Sequence, residues 1–193
     1  MLKLYHSPQS RSSRFIWMLE ELGQPYEIEY VTIQRGDGTG APDPKNPNPR
    51  GKVPTLEHDG RVVVESGAIA LYLTDAFPAA GLAPKVGDPD RGEYLGWLFF
   101  YCTEVESGMI LKFLEVTSPM MARIYDPMFA RFEGRLKTSP YIAGERFTAA
   151  DVLFASAVQW GANMLPTSEV LDAYLARLIE RPAYKRALEK EQP

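Results

Sequence analysis

Leu2-Lys-Leu-Tyr-His6, Ser7-Pro-Gln-Ser-Arg-Ser-Ser-Arg14, a helix-spaced run to Leu22, and Tyr26-Glu-Ile-Glu-Tyr-Val-Thr-Ile33 form the stretch that decides the fold. The first segment alternates apolar and polar side chains and predicts a short strand over 2–6. The serines of Ser10-Arg-Ser-Ser13 offer N-cap hydroxyls. Phe15, Ile16, Met18, Leu19 and Leu22 follow at helical spacing, with Gly23 where a helix C-cap belongs. Residues 26–33 alternate again and predict a second strand. Strand, helix, strand in so short a span is a βαβ unit, so the two strands should run parallel with a right-handed crossover.

Downstream, Gln34–Gly51 holds Gly36, Gly38, Gly40 and Gly51 together with Pro42, Pro44, Pro47 and Pro49. No regular element survives that density, and a loop this long in a compact domain is usually functional or mobile. Val53–Glu57 and Arg61–Val64 flank His58-Asp-Gly60, a strong hairpin signal. Glu65-Ser66-Gly67 then opens a helix, with Ser66 as its expected N-cap. The order β-α-β-loop-β-β-α describes a small mixed sheet with helices packed on it.

The Pro- and Gly-bearing segment Phe77–Asp90 reads as a linker, and beyond it no strand pattern appears. Arg91–Val116 predicts one long aromatic helix. Pro119–Leu136 predicts a second, kinked or split at Pro127. Thr148-Ala-Ala-Asp151 resembles a capping box with Asp at N3; Thr167-Ser-Glu169 starts a further helix, and Pro182 the last. The expected division is therefore 1–79, an α/β domain; 80–90, a linker; and 91–193, an all-helical domain.

The whole chain has 193 residues, 21 Lys+Arg against 25 Asp+Glu, two His and one Cys, for a net charge of −4. A chain of this length can bury a core without staples. One Cys excludes an intrachain disulfide and a Cys-rich zinc site. With His6 and His58 the only histidines, most His/Cys metal sites are excluded too, and no metal is expected. Mild acidity argues against a nucleic-acid surface. Apolar runs are too short for a membrane span, and the N-terminal residues turn polar too soon for a signal peptide. A cytoplasmic protein is expected.

Three segments should meet at one end of the sheet. The Ser7–Ser13 run sits at a helix start, where hydroxyls and free N–H groups stabilise anions and would lower the pKa of a bound thiol. Arg50-Gly-Lys-Val-Pro-Thr55 puts Pro54 at the start of a strand, where it cannot donate to a ladder. A cis bond there would leave the Val53 N–H and C=O open to pair with an extended peptide. Lys52 and Arg50 alongside could hold a carboxylate. The third segment is Glu65-Ser66, an acid for an ammonium beside an anion-binding helix start. A small extended peptide with two carboxylates, one amine and one thiol satisfies all of these, and glutathione is such a peptide.

Tyr5-His-Ser-Pro with Ser10-Arg-Ser-Ser-Arg14, Gly51-Lys-Val-Pro54, Glu65-Ser66 and Gly144-Glu-Arg-Phe-Thr-Ala-Ala-Asp151, in this order, resemble the cytosolic glutathione transferase superfamily, its bacterial and fungal branch in particular. The resemblance covers nearly the whole chain. It implies a thioredoxin-like N-terminal domain, a helical C-terminal domain, a homodimer, glutathione as co-substrate on the first domain, and an electrophile between the two domains. It implies that Val53 pairs with the cysteinyl backbone, that Pro54 is cis, that Glu65 and Ser66 hold the γ-glutamyl end, and that Lys52 holds a carboxylate, with Arg11 the helix arginine of the motif.

The group that ionises the thiol stays open between Ser10, Ser7, Ser12 and Tyr5. No Cys lies in this region; Cys102 is far along the helical domain. Phe100, Tyr101, Glu104 and Met109 on the aromatic helix are candidates for the electrophile pocket, against the plainer reading of that stripe as core and subunit interface. The expected activity is conjugation of the glutathione thiolate to an apolar electrophile, a detoxification chemistry. A glutathione-dependent peroxidase or isomerase and a non-catalytic binding module on the same fold are the alternatives.

Overall fold

The computed structural model of the chain describes residues 1–193. Two compact units emerge, one of Met1–Ala80 with Pro182–Pro193, the other of Gly81–Arg181.

In the first unit, β1 (Leu2–His6), α1 (Ser13–Leu22), β2 (Tyr26–Tyr30), β3 (Thr55–His58), β4 (Arg61–Val64) and α2 (Ser66–Ala76) follow the expected order. The sheet runs β2-β1-β3-β4. β1 and β2 are parallel; β3 is antiparallel to both of its neighbours. Side chains alternate across it. Leu2 and Leu4 lie on one face with Leu56, the partner of Leu4, and all three are buried with Phe15, Ile16, Met18 and Leu19 of α1 and Ile69 and Leu73 of α2. Tyr5 and Lys3 lie on the other face with Glu57, Glu27 and Glu29.

β2 stops at Tyr30 rather than at Ile33. Val31 N–H still donates to His6 C=O at 2.8 Å, but Thr32 N–H goes to the Asp43 carboxylate at 3.3 Å. Thr32 N–H faces the open edge of β2, and there the loop carboxylate covers it. As the pattern predicts, Gly23 closes α1 in the left-handed region (φ 68°) and donates to Leu19 C=O.

The last segment departs from the expected 91–193 division. α8 (Pro182–Glu189) and the tail after it pack with the first unit. Tyr184 meets Trp17 of α1 edge to face at 4.9 Å. Glu20 of α1 receives Arg186 Nε at 2.6 Å and Lys190 Nζ at 2.5 Å.

The second unit is helical: α3 (Arg91–Phe100), a π-turn at Tyr101–Val105, α4 (Glu106–Phe113), α5 (Pro119–Thr138), α6 (Ala149–Trp160) and α7 (Glu169–Ile179). The predicted Arg91–Val116 helix is thus continuous only to Phe113 and carries one wide turn. α5 is not split by Pro127 and runs unbroken from Pro119 to Thr138. Pro127 faces solvent, as does Arg123 four residues before it, so water can meet the carbonyl that the proline leaves without a donor. The core centres on Phe154, whose ring lies 4.8 Å from Phe132, 5.3 Å from Tyr101 and 6.0 Å from Trp97. Asp151 reaches back to Thr148 N–H at 2.8 Å, as the capping-box spacing predicts, and also takes Ile142 N–H at 2.8 Å and Tyr174 O–H at 2.9 Å. No helix is long and apolar enough to cross a membrane.

Candidate functional site

The strand registers bring the three chemistry-bearing segments together. β1 pairs with β3 up to Tyr5↔Thr55, and β3 with β4 up to Thr55↔Val64. Val53 lies two residues before Thr55, Ser7 two residues after Tyr5 and Ser66 two residues after Val64, all at the same end of the sheet. The Val53–Pro54 bond is cis. Neither the N–H nor the C=O of Val53 enters any backbone hydrogen bond. Its neighbour is the opposite case. The Lys52 carbonyl accepts from Asn46 Nδ2 at 3.0 Å, Asn48 Nδ2 at 3.0 Å and Thr55 Oγ1 at 2.9 Å. Three donors on one carbonyl fix the backbone just before Val53, leaving Val53 displayed. Asn46 and Asn48 went unnoticed in the sequence. Their only signal was two Asn among the prolines of the loop, where Asx turns form.

At the start of α2, Ser66 is the first helical residue and Glu65 occupies the cap position, so the expected Ser66 N-cap is shifted by one. No side chain caps this helix. Glu65 has φ 74° and ψ 128°, a conformation that costs a non-glycine residue about 1–3 kcal/mol and clusters at ligand clamps. It leaves Glu65 exposed and Ser66 largely covered, beside the free N–H groups of a helix start.

The Ser7–Ser13 run is more heavily bonded than its sequence suggests. Ser12 is fully buried and its hydroxyl does not cap α1. Instead Ser12 Oγ lies 2.7 Å from His6 Nδ1 and 2.7 Å from Ser10 Oγ, and it accepts Ser7 N–H at 3.1 Å. Ser10, half-buried, also sits 2.7 Å from Ser7 C=O. Ser7 is 3% exposed. Ser13 O–H donates to Glu191 of the tail at 2.8 Å, and so does Gln9 N–H at 2.6 Å. A carboxylate of the chain therefore already occupies the start of α1, whereas the start of α2 is open.

Tyr5 is differently placed. Its hydroxyl donates to Glu57 at 2.8 Å on the polar face of the sheet. Burial, the Glu57 hydrogen bond and the charges of Glu57 and Glu29 push its pKa up to about 12. A hydroxyl held this way has no proton to offer a thiolate. Lys52, Arg50 and Arg11 are exposed. Of the four pocket candidates, Phe100, Tyr101 and Met109 are buried in the core of the helical unit, and only Glu104, on the π-turn, is exposed. The plainer reading therefore holds for three of the four. No group of three or more His, Cys, Asp or Glu side chains is placed to hold a metal ion.

What the sheet end offers is an open backbone segment, an uncapped helix start beside an acid, an exposed lysine and a cluster of hydroxyls. Known proteins share this fold. Residues 4–81 match the glutathione S-transferase N-terminal domain and residues 124–182 the glutathione S-transferase C-terminal domain. Glutathione S-transferase GstA of Escherichia coli is 28% identical, over 98% of this chain and 98% of its own. A sphingomonad glutathione S-transferase solved in complex with glutathione is 31% identical with a TM-score of 0.82, covering 98% of both chains. A glutathione transferase of Methylococcus capsulatus is 31% identical with a TM-score of 0.83, covering 99% of this chain and 98% of that one.

Proposed function

The chain belongs to the cytosolic glutathione S-transferase superfamily, and from that membership we propose that it joins the thiolate of glutathione to an apolar electrophile. The observation that carries this reading is the unpaired Val53 backbone, at the same sheet end as the uncapped start of α2. The cysteinyl part of glutathione adds to Val53 as a one-residue strand. The γ-glutamyl carboxylate meets the Ser66 hydroxyl and the N–H groups of α2, and Glu65 takes the ammonium. Lys52 takes the glycyl carboxylate, with Arg50 or Arg11 within the same exposed surroundings.

The thiol then reaches the serine run. A free thiol with a pKa near 8.5 is only a few per cent ionised at neutral pH. A hydroxyl donor favours the thiolate, and holding an electrophile against the sulfur supplies the remaining acceleration. Ser10 is the best-placed donor, because it is the hydroxyl that is both solvent-reachable and hydrogen-bonded from behind. Ser7 is the second candidate. Ser12 is too deeply buried to touch the sulfur, and Tyr5 is committed to Glu57. A homodimer working in the cytoplasm completes the proposal on family grounds, and light scattering behind size exclusion tests the first part.

The deciding experiment is conjugation of a chloronitrobenzene-type substrate beside a hydroperoxide assay. Conjugation as the faster reaction supports the proposal. Hydroperoxide turnover alone moves the protein to the peroxidase reading. Retention on immobilised glutathione with neither turnover leaves a binding module.

A further inference from the structure

We propose that Glu191, His6, Ser12 and Ser10 form a hydrogen-bonded relay that carries the proton of the bound thiol to the His6 imidazole. The relay rests on the glutathione reading above and deepens it. His6 and Ser12 are both fully buried, and Ser10 is the relay hydroxyl that reaches solvent. His6 Nε2 lies 3.1 Å from the backbone carbonyl of Glu191. A carbonyl only accepts, so Nε2 carries the ring proton and Nδ1 presents a lone pair. Ser12 Oγ, 2.7 Å from Nδ1, donates its hydrogen there. Its own lone pairs then face Ser7 N–H at 3.1 Å and the Ser10 hydroxyl at 2.7 Å. In the neutral state the Ser12 hydroxyl points inward to His6, while the Ser10 hydroxyl donates to the Ser7 carbonyl at 2.7 Å and turns to Ser12 Oγ, also 2.7 Å away, as it takes up the thiol proton.

The transfer balances. The S–H bond breaks and its electron pair stays on sulfur. The proton passes to Ser10 Oγ, the Ser10 hydrogen passes to Ser12 Oγ, and the Ser12 hydrogen passes to His6 Nδ1. The Ser12 hydroxyl ends reversed toward Ser10, the Ser10 O–H now donates to the thiolate, and the imidazole is protonated on both nitrogens. The Glu191 carboxylate stands 3.8 Å from Nε2 to face that cation. Burial pulls the His6 pKa below its ordinary value, while the carbonyl and charge of Glu191 act in the opposite direction. The titratable groups that face the ring are Glu191 from the tail and Tyr30 from β2, the latter edge-on at 5.6 Å. Glu191 also holds Gln9 N–H and Ser13 O–H, so one tail residue fixes both the base and the loop bearing Ser10. His6, Ser12 and Glu191 are positioning residues that act through Ser10.

Ultraviolet titration of the thiolate in the protein–glutathione complex, read beside the pH profile of kcat/KM, tests the relay. Ser12→Ala and His6→Gln should each raise the pKa of the bound thiol by about one unit and lower kcat/KM at neutral pH roughly 10- to 100-fold, with the KM for glutathione unchanged. Ser12→Thr, which keeps the hydroxyl, should restore both readouts. Glu191→Gln, which keeps the carbonyl and loses the charge, should give a smaller shift in the same direction. If His6→Gln does not fold, the Ser12→Ala and Ser12→Thr pair decides. A wild-type protein that ionises bound glutathione while folded Ser12→Ala and His6→Gln do so equally well overturns the relay alone. A wild type that binds no glutathione overturns the reading beneath it and the relay with it.

Discussion

Tyr5 and Ser10 illustrate how two hydroxyls a few residues apart acquire different roles. Both were candidates on residue type. Tyr5 points to the polar face of the sheet and is captured by Glu57; Ser10 stands at the open end with its oxygen backed by Ser12. Tyr5→Phe should therefore leave kcat within about twofold of wild type, whereas Ser10→Ala should lower kcat roughly 10-fold or more. Steady-state conjugation kinetics check both, and the opposite ranking contradicts the assignment. Lys52→Ala should act on binding, raising the KM for glutathione about tenfold with kcat nearly unchanged, because it removes an interaction made equally in ground and transition states.

Loops and helices contribute support that single residues conceal. Asn46 is only 7% exposed and spends its amide on the Lys52 carbonyl. Asn46→Ala should destabilise the protein by about 1–3 kcal/mol, the range for a buried polar partner removed, and raise the KM for glutathione by loosening Val53. Denaturant melts and kinetics on the same variant check the pair. In the helical unit, Phe154→Ala should cost about 3–5 kcal/mol by emptying the centre of the aromatic cluster. The strands, α1, α2 and the capping box were legible because they are written in local periodicity and short-range spacing. The Gly/Pro loop was legible only as a loop: its Asx bonds depend on where Lys52 ends up. The bonded state of Ser12, the α1 packing of α8 and the π-turn at Tyr101–Val105 were not legible. Each depends on a partner or packing that no local spacing announces, as with His6 meeting Glu191.

At the scale of the whole chain, the last segment binds itself to the first through charge. Burial pushes Glu20 up, but hydrogen bonds from Lys190, Tyr26 and Arg186 together outweigh it and bring its pKa down to about 2. An unfolded Glu titrates at about 4.3. The folded value is the lower one, so this stabilisation is complete above about pH 4.3 and is lost as pH falls toward 2. Wild type should melt higher than Glu20→Gln at neutral pH, with the difference closing across that acidic window. A gap in Tm that persists at pH 2 contradicts the linkage. The same segment bears Glu191, so its docking and the state of the serine loop belong to one structure. Glutathione binding at the sheet end is what everything else presupposes. Calorimetric titration of glutathione into the wild type and into Lys52→Ala should give saturable binding by low millimolar concentration in the first and a clearly weaker isotherm in the second. No heat and no thermal shift in wild type at 10 mM glutathione, a concentration of roughly the order needed to saturate a millimolar site, would contradict the site itself.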